Sequence, residues 1–491
     1  MLCIEKGKYE DAVEILEKSE WEEEYSIAVA NKLKAEATIK TYIKSRKQLI
    51  AGLRIHGGSN IDSSVEDIYK GMLNIPQSLK ERDLILYEYI KYLTDIGKYD
   101  DALEIIHAEK KQRIETAIEI CNWKLLHVIG ELYYSIGCYK DASTYFKRAL
   151  EYTTQDEHID YIEIYLGLAK CFWKVRDYKE MHKILDESSK FVKDTDNITP
   201  RQRRITSEIY KYMAIYENNC YNLTKAVKLA KKALDIYTIL YETPQEDKIQ
   251  EFEDKLEYAR ILNNISIIYK RMGKYRESSE YIARAYYIYK NYKELNPKIF
   301  RRQLVRTCRN YSIVLRKQGY FDESEKLLKE ADEIINQGLL GISDVEKRLI
   351  LCHTVEIGDL KLDRGKYDEA EKYYYDAQNQ LTMLKSGDDF LYELFHAENC
   401  YNLGRLYRYQ GKIQESENKL LEAVKIWSKY DERSTGKYTV LLAQTYAQLA
   451  KNRQKNKKIA QEYEKKKDEL IRKFKQTASK YVRKKVDDSV F

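Results

Sequence analysis

Apolar residues recur at helical spacing along most of the chain, and several of these stretches end at a glycine. Ile265, Ile268 and Tyr269 precede Gly273 in this way, and the stretch before Gly411 has the same pattern. A glycine at the end of an amphipathic helix supplies the left-handed conformation that closes it. The acidic residue that follows favours the first turn of a second helix, because it lies at the positive end of the helix dipole. The pattern therefore predicts pairs of helices joined by tight turns.

The helix pairs recur with a fixed period. Gly273, Gly319, Gly365 and Gly411 stand 46 residues apart three times in succession, and a constant period of about 20 to 50 residues indicates stacked repeats. Clear earlier copies contain Gly97 and Gly137, degenerate copies contain Arg176 and Asn222, and further turns are predicted at Gly7 and at Gly57 with Gly58. We predict an all-α solenoid of about ten two-helix hairpins.

The pattern also divides the chain into three parts. Residues 1–96 contain degenerate helical repeats, residues 97–430 contain the regular array, and residues 431–491 form a C-terminal helical cap with a basic tail. The tail helix has a narrow apolar stripe that consists of Ile459, Tyr463, Leu470, Phe474 and Tyr481. A narrow stripe on a charged helix is the form expected of a solubilising cap at the end of a solenoid.

The composition suits a helical protein that does not cross a membrane. Among 491 residues there are only four prolines and nineteen glycines, and three prolines, at positions 200, 244 and 297, fall in predicted connections. No stretch approaches the run of about 18 apolar residues that spans a bilayer, and the N-terminus has no secretory signal. The eight cysteines form no Cys-x-x-Cys pair and are predicted to be reduced thiols. We expect a cytoplasmic protein.

The positive charge is concentrated in the C-terminal tail. The whole chain has a formal net charge of +7, yet residues 451–485 contain 15 Lys or Arg and only 4 Asp or Glu. Such a segment could contact nucleic acid or an anionic membrane surface, but a basic helix at the end of a solenoid is more often a solvated cap. We expect Tyr463, Phe474 and Tyr481 to pack on the last hairpin, and we do not expect a nucleic-acid partner.

The repeated motif resembles the tetratricopeptide repeat. The best copies are residues 402–407, Asn-Leu-Gly-Arg-Leu-Tyr, followed by Gly411, and residues 262–269 followed by Gly273. The spacing of 39 to 52 residues between units exceeds the family's usual period of about 34. Such long units resemble those of Gram-positive peptide-sensing regulators and of arrays attached to signalling ATPases. The resemblance implies a right-handed superhelix whose concave groove is lined by the first helix of each pair.

The resemblance also implies which side chains face the groove. With the turn glycine as position 15, positions 2, 5, 9, 12 and 13 of the first helix face it, and nine of these twenty residues in the four regular repeats are Lys or Arg. The eleven candidates for ligand binding are Arg260, Asn263, Lys270, Arg271, Arg306, Arg309, Arg316, Lys317, Tyr401, Arg405 and Arg408. They favour a protein or peptide ligand that is acidic or carries a free carboxylate. The alternative is a solvated face whose cations pair with neighbouring glutamates.

Asparagine recurs at position 6 of three repeats, as Asn264, Asn310 and Asn402. In peptide receptors that this chain resembles, groove asparagines bind the peptide backbone, but asparagine at this position also makes hydrogen bonds within the repeat. We assign these three a structural role and regard Asn263, at position 5, as the better ligand candidate.

No enzyme signature is present. The sequence has no phosphate-binding loop, no dinucleotide-binding glycine motif, no His-Glu-x-x-His and no Gly-x-Ser-x-Gly. His396 and Cys400 stand four residues apart and could share a helix face, but two ligands fall short of the three or four that zinc requires. We predict no catalytic residues, no cofactor and no metal site.

The pattern as a whole favours a non-enzymatic scaffold or regulator that binds a protein or peptide segment in its groove. One alternative is a peptide-responsive transcription or signalling regulator, although no helix-turn-helix precedes Gly97. Another is an output role of residues 1–96, and a third is nucleic-acid contact through the basic C-terminal helix.

Overall fold

The computed structural model describes residues 66–67, 69–73, 79–115, 120–153, 158–190, 199–243, 248–292, 297–339, 344–383, 389–431 and 437–477. Over these ranges the fold is all-α, as predicted, with no strand. The α-helices are α1 (Leu79–Ile96), α2 (Tyr99–Glu115), α3 (Trp123–Ile136), α4 (Tyr139–Tyr152), α5 (His158–Val175), α6 (Tyr178–Ser189), α7 (Pro200–Asn219), α8 (Leu223–Glu242), α9 (Lys248–Arg271), α10 (Tyr275–Tyr292), α11 (Pro297–Lys317), α12 (Phe321–Ile334), α13 (Asp344–Asp363), α14 (Tyr367–Thr382), α15 (Asp389–Tyr409), α16 (Ile413–Asp431), α17 (Lys437–Asn452) and α18 (Lys457–Thr477). A π-helical turn, Ile335–Leu339, extends α12.

These helices form nine consecutive hairpins in the described part of the chain, from α1 with α2 to α17 with α18. Six of the turns contain a glycine with positive φ, namely Gly97, Gly137, Gly273, Gly319, Gly365 and Gly411. Arg176 and Tyr221 adopt the same left-handed conformation in the third and fourth hairpins, so the degenerate repeats keep the turn geometry without the glycine. The turns predicted at Gly7 and at Gly57 with Gly58 lie outside the described residues.

The two helices of a regular hairpin meet at a pair of small residues twelve positions apart. The hydroxyl of Ser278 donates to the carbonyl of Ser266 at 2.8 Å, and the hydroxyl of Ser416 donates to the carbonyl of Gly404 at 2.6 Å. A Cβ atom built on Gly404 would lie 2.6 Å from Cγ of Leu420, which is closer than packed carbon atoms approach. Only very small side chains therefore allow this contact.

Two of the three prolines assigned to connections begin helices. Pro200 is the first residue of α7, where Thr199 forms a capping box with Gln202, and Pro297 is the first residue of α11. The first turn of a helix tolerates proline because its N–H groups have no partner within the helix. Pro244 lies outside the described residues. Across the helices listed above, none is long and apolar enough to cross a membrane.

The contacts between residues divide the chain into two compact units. One consists of residues 1–191 with 247–250, and the other of residues 192–246 with 251–491. In the first unit a core of buried side chains extends from α1 to α5. In the second, one core extends from α7 to α13 and another joins α15, α16 and α17. The three-part division at residues 96 and 430 stays a prediction.

The C-terminal helix α18 packs through its aromatic stripe. The ring of Tyr463 lies against α17, and its hydroxyl donates to Glu417 of α16 at 2.8 Å, which confirms packing on the last hairpins. Phe474 is only 2% exposed and meets the ring of Tyr221 edge-on, in the turn between α7 and α8, with 5.4 Å between ring centroids. Phe474 therefore packs against a hairpin other than the expected one, and Tyr481 lies outside the described residues. Neither Tyr463 nor Phe474 is free to stack on a base.

We expect Gly404→Ala to lower the stability of the second unit by about 1 to 3 kcal/mol. The new methyl group would overlap Leu420 and approach the carbonyl oxygen of Ser416, and this cost exceeds the gain in helix propensity of about 1 kcal/mol. Urea unfolding followed by circular dichroism measures the change. Gly71→Ala is the control, since Gly71 is helical, exposed and has no atom within 4 Å of an added Cβ. Equal stability of Gly404→Ala and the wild type would contradict the packing argument.

Candidate functional site

The first helices of successive hairpins contact one another through polar side chains. Asn310 of α11 donates to Oδ1 of Asn263 on α9 at 3.2 Å, and Nε of Arg316 on α11 donates to Glu356 on α13 at 2.8 Å. We call the surface that α7, α9, α11, α13 and α15 form in this way the first-helix face. Its polar contacts join residues about one repeat apart, whereas the apolar sides of the same helices form the cores.

Two arginines and three carboxylates of this face form what we call the charge cluster: Arg316, Glu356, Asp359, Asp363 and Arg405. Arg316 is 5% exposed and lies 2.8 Å from Glu356 and 3.3 Å from Asp359, and it also pairs with Asp363. Arg405 reaches Asp359 at 3.5 Å and Asp363 at 3.6 Å. The cluster thus links α11, α13 and α15.

The charges of this cluster compensate one another. Burial lowers the pKa of Arg316, but the carboxylates of Glu356 and Asp359 outweigh that effect and raise it well above its ordinary value. Burial likewise opposes the charged form of Asp359, yet Arg316 and Arg405 hold its pKa below the usual range. Tyr374 is fully buried and donates its hydroxyl to Asp359 at 2.7 Å. Two of the predicted ligand-binding arginines, Arg316 and Arg405, therefore have strong partners inside the protein.

Four other cations on α9 and α11 have no such partners, and we call them the basic cluster: Lys270, Arg302, Arg306 and Arg309. Nη2 of Arg309 donates to Oδ1 of Asn310 at 3.2 Å. The Nε atoms of Arg302 and Arg309 are buried without a hydrogen-bond partner. In the part of the chain that the structure describes, no carboxylate lies within 4 Å of any member of the basic cluster. A charged donor that is partly buried and unpaired is costly, so the cluster favours an anion.

The pKa values of two members of the basic cluster also reflect the lack of a nearby counter-charge. Burial, followed by the charge of Arg309, lowers the pKa of Lys270 to about 8. Burial, followed by the charges of Arg302 and Arg309, also lowers the pKa of Arg306. Cations that disfavour one another's charged form produce a positive potential, and a bound carboxylate would relieve it.

Three further candidates, Arg260, Arg271 and Lys317, are not counted in the basic cluster, because the first two have partners and the third is exposed. Arg260 pairs with Glu257 at 2.9 Å, and Nη1 of Arg271 donates to the carbonyl of Asn218 at 2.8 Å. Lys317 is exposed at the end of α11, and burial followed by the charge of Arg316 lowers its pKa. Arg260 and Arg271 nonetheless add positive charge near the cluster, since, in addition to burial, Arg260 lowers the pKa of Arg306 and Arg271 lowers that of Lys270.

The candidates on α15 contact aromatic rings. The guanidinium of Arg405 lies 5.9 Å from the ring of Tyr401, which in turn packs 5.8 Å from Trp427. The guanidinium of Arg408 lies 4.6 Å from the ring of Tyr409. Of the eleven candidates, three thus belong to the basic cluster, two to the charge cluster, and Tyr401 and Arg408 to this aromatic group. The other four, Arg260, Asn263, Arg271 and Lys317, belong to none of these groups.

The asparagines at position 6 contact other polar side chains of the face. Asn310 donates to Asn263 and accepts from Arg309, and Asn402 lies 3.4 Å from Arg405. Asn263 is only 6% exposed, and its side chain accepts the hydrogen bond that joins α11 to α9. In the third regular repeat the same position is Glu356 of the charge cluster.

Arg302 is a member of the basic cluster that the sequence pattern missed. It lies one helical turn before the first groove position of its repeat, so the repeat template did not reach it. Its spacing of four from Arg306 and seven from Arg309 places the three side chains on one side of α11, and this spacing was the signal available in the sequence.

Comparison with known proteins agrees with the repeat assignment. Residues 259–291 and residues 397–426 each match a family model described as tetratricopeptide repeat. These segments lie in α9 with α10 and in α15 with α16, and the second contains Arg405 of the charge cluster. Two segments of the chain therefore match the tetratricopeptide repeat, which agrees with the helix pairs of the described residues. No curated protein matches it in sequence.

Several solved structures resemble parts of this fold. The apo form of RapI has a TM-score of 0.46 and 16% identity, over 72% of this chain and 99% of RapI. NprR in complex with its cognate peptide NprX has a TM-score of 0.45 and 13% identity, over 76% and 87% of the two chains. A STAND signal-transduction ATPase with a tetratricopeptide sensor, from Pyrococcus horikoshii, has a TM-score of 0.43 and 14% identity, over 87% and 53%. Likenesses of this order say nothing about the ligand of this chain.

We expect Lys270→Met to raise the stability at pH 7 by about 1 to 3 kcal/mol. The pKa of Lys270 is about 8 in the folded protein, below its ordinary 10.5, so the unfolded chain binds more protons between these values. Wild-type stability should therefore rise with pH through this window, and the advantage of the variant should vanish near pH 10.5. Urea unfolding at several pH values measures it. Lys274→Met, at an exposed lysine paired with Glu277, is the control, and a pH-independent difference for Lys270→Met would contradict the argument.

We expect Arg316→Met to cost about 3 to 5 kcal/mol, because it leaves Glu356 and its neighbours buried without a counter-charge. Burial already raises the pKa of Glu356, so the deficit relative to wild type should shrink as the pH falls and Glu356 takes up a proton. Arg364→Met removes ion pairs to Asp322 and Glu325 nearer the surface and should cost under about 1 kcal/mol. Equal losses of unfolding free energy in the two variants would contradict the assignment.

Proposed function

We propose that the basic cluster binds an acidic protein or peptide segment, or one that ends in a free carboxylate. The observation that carries the proposal is the difference in pairing along α11. Arg316, near the end of this helix, has carboxylate partners on α13, whereas Arg302, Arg306 and Arg309 have none in the described chain. Carboxylate ligands would form charge-assisted hydrogen bonds with these guanidinium groups, which are stronger than neutral ones.

The surroundings of the cluster support an extended ligand rather than a small anion. The first-helix face continues from α11 across α13 to α15, where the guanidinium of Arg405 lies over the ring of Tyr401 and that of Arg408 over the ring of Tyr409. Aromatic rings and arginines are the residue types that contribute most to peptide and protein binding. A segment with acidic residues at one end could therefore bind the cluster and continue along the face.

A regulatory role would add a response to this binding, and Asn310 is the residue placed to transmit it. Asn310 accepts from Arg309 of the basic cluster and donates to Asn263 on α9. A ligand carboxylate that draws Arg309 away would remove one of these bonds and alter the contact between α9 and α11. A ligand shifts such an equilibrium only as far as it binds the two arrangements with different affinities. This role uses the same site as the scaffold function.

The test uses two labelled peptides of equal length that have a free C-terminus. One alternates Ala with Glu and the other alternates Ala with Gln. Fluorescence anisotropy should show that the wild type prefers the Glu peptide and that its affinity falls with added salt. Arg306→Ala/Arg309→Ala should weaken binding of the Glu peptide by about 30-fold or more, since it removes two partly buried donors.

Lys326→Ala/Lys329→Ala is the matched control. It removes the same charge from the same hairpin, but from exposed positions on the second helix, α12, and should change the affinity by less than about twofold. Equal affinities of the two double variants for the Glu peptide would overturn the basic-cluster proposal. Equal binding of the Gln peptide by the wild type would overturn the acidic character of the ligand. An amidated version of each peptide separates internal carboxylates from the terminal one.

A further inference from the structure

The hairpin of α15 and α16 brings together a histidine, a cysteine and a glutamate. Nε2 of His396 lies 2.8 Å from Oε1 of Glu422 and 3.8 Å from Sγ of Cys400. All three ligand atoms lie within 4.8 Å of one another. His396 and Cys400 are one turn apart on α15, as their spacing predicts, and Glu422 is contributed by α16.

The hydrogen bonds of His396 indicate that a positive ion belongs in this cluster. Nδ1 of His396 lies 3.3 Å from Oε1 of Gln378, and Nδ2 of Asn399 donates to the same oxygen at 3.2 Å. An oxygen that accepts from Asn399 also accepts from Nδ1, so the proton of a neutral imidazole is on Nδ1. Nε2 then directs a lone pair at a carboxylate oxygen of Glu422. Two acceptors at this distance require a proton or a metal ion between them.

We propose that Nε2 of His396, Sγ of Cys400 and Oε1 of Glu422 bind a divalent transition-metal ion of the zinc class. Imidazole and thiolate ligands select zinc and its neighbours over magnesium and calcium. Nζ of Lys419 lies 2.9 Å from the other oxygen, Oε2 of Glu422, which leaves Oε1 as a single ligand atom. Three protein ligands leave the fourth tetrahedral position open to water or to a further ligand.

Binding an ion requires the three side chains to shift relative to one another. Bond lengths of about 2.0 Å to nitrogen and 2.3 Å to sulfur in a tetrahedral site place those two atoms about 3.5 Å apart, and the nitrogen about 3.3 Å from the oxygen. The observed separations are 3.8 Å and 2.8 Å. The third pair, Sγ of Cys400 and Oε1 of Glu422, lies within 4.8 Å and would have to close to about 3.5 Å, a shift of up to about 1.3 Å. His396 is 20% exposed and Glu422 39% exposed, so these two side chains have room to move. The same exposure is the route by which an ion enters.

Binding also has a proton cost. Cys400 would bind the ion as a thiolate, so the metal must displace the thiol proton and its affinity should rise with pH. Gln378 orients the imidazole from behind, as hydrogen-bond partners of metal-binding histidines do. The ion would join α15 to α16 directly and stabilise their hairpin.

The experiment titrates the full metal-free chain with Co²⁺, which reports its ligands optically. We expect a thiolate-to-cobalt charge-transfer band in the near ultraviolet, visible bands of tetrahedral intensity, and loss of both when Zn²⁺ is added. Cys400→Ser should abolish the charge-transfer band. Cys308→Ser is the matched control, because Cys308 is equally buried, at 0% exposed, but lies on α11. Its spectrum should equal that of the wild type.

Glu422→Gln provides a variant that changes a partly exposed side chain and should not disturb folding, which circular dichroism checks. It should keep the charge-transfer band and weaken Co²⁺ binding by about tenfold or more, and Gln378→Ala should weaken Co²⁺ binding by about 10- to 100-fold.

The absence of a charge-transfer band in the wild type, or its persistence in Cys400→Ser, would overturn the proposal. Weak octahedral bands alone would show binding of Co²⁺ elsewhere on the surface and would also overturn it. Nitrogen-15 spectra that show a doubly protonated His396 at saturating Zn²⁺ would show that a proton, and not a metal ion, lies between Nε2 of His396 and Glu422.

Discussion

The regular hairpins depend on the close approach of their two helices at small residues twelve positions apart. At Ser266 with Ser278 and at Gly404 with Ser416, a side-chain hydroxyl bonds directly to the backbone of the facing helix. Any larger side chain would separate the helices, because Leu420 already fills the space beside Gly404. This contact sets how each first helix lies on its second helix, and so sets which side chains successive first helices present to one another. The first-helix face is a consequence of it.

On that face the balance of charge differs from one helix to the next. The acidic residues Glu356, Asp359 and Asp363 all belong to α13, so the cations nearest to them, Arg316 and Arg405, are compensated. Among the described residues no carboxylate forms an ion pair with Lys270 or with Arg302, Arg306 and Arg309, and the charge of Glu356 reaches Lys270 only from a distance. A single helix, α11, therefore carries one arginine that holds hairpins together and others whose charge is unbalanced. Burial strengthens both the attraction within the charge cluster and the repulsion among the unpaired cations, because charges interact more strongly where water is excluded.

The same hairpin packing accounts for the cluster around His396. The contact between Gly404 and Ser416 fixes α15 against α16, and this brings Glu422 beside His396 and Cys400. Gln378 of α14 then reaches the far nitrogen of the imidazole. The cluster lies apart from the basic cluster and shares no residue with it. The two sites can therefore be altered independently.

Helix pairs, turn positions and the repeat period could be predicted from the sequence, because each depends on residues close together in the chain. The glycine turns needed no knowledge of distant contacts. The pairing of polar and charged side chains did depend on distant contacts. Arg316 meets Glu356 across 40 residues of sequence, and Asn310 meets Asn263 across 47. A repeat template selected eleven candidate groove side chains but could not separate compensated cations from unpaired ones. Only the tertiary structure decided that, because whether a cation is paired depends on where the neighbouring hairpin places its carboxylates.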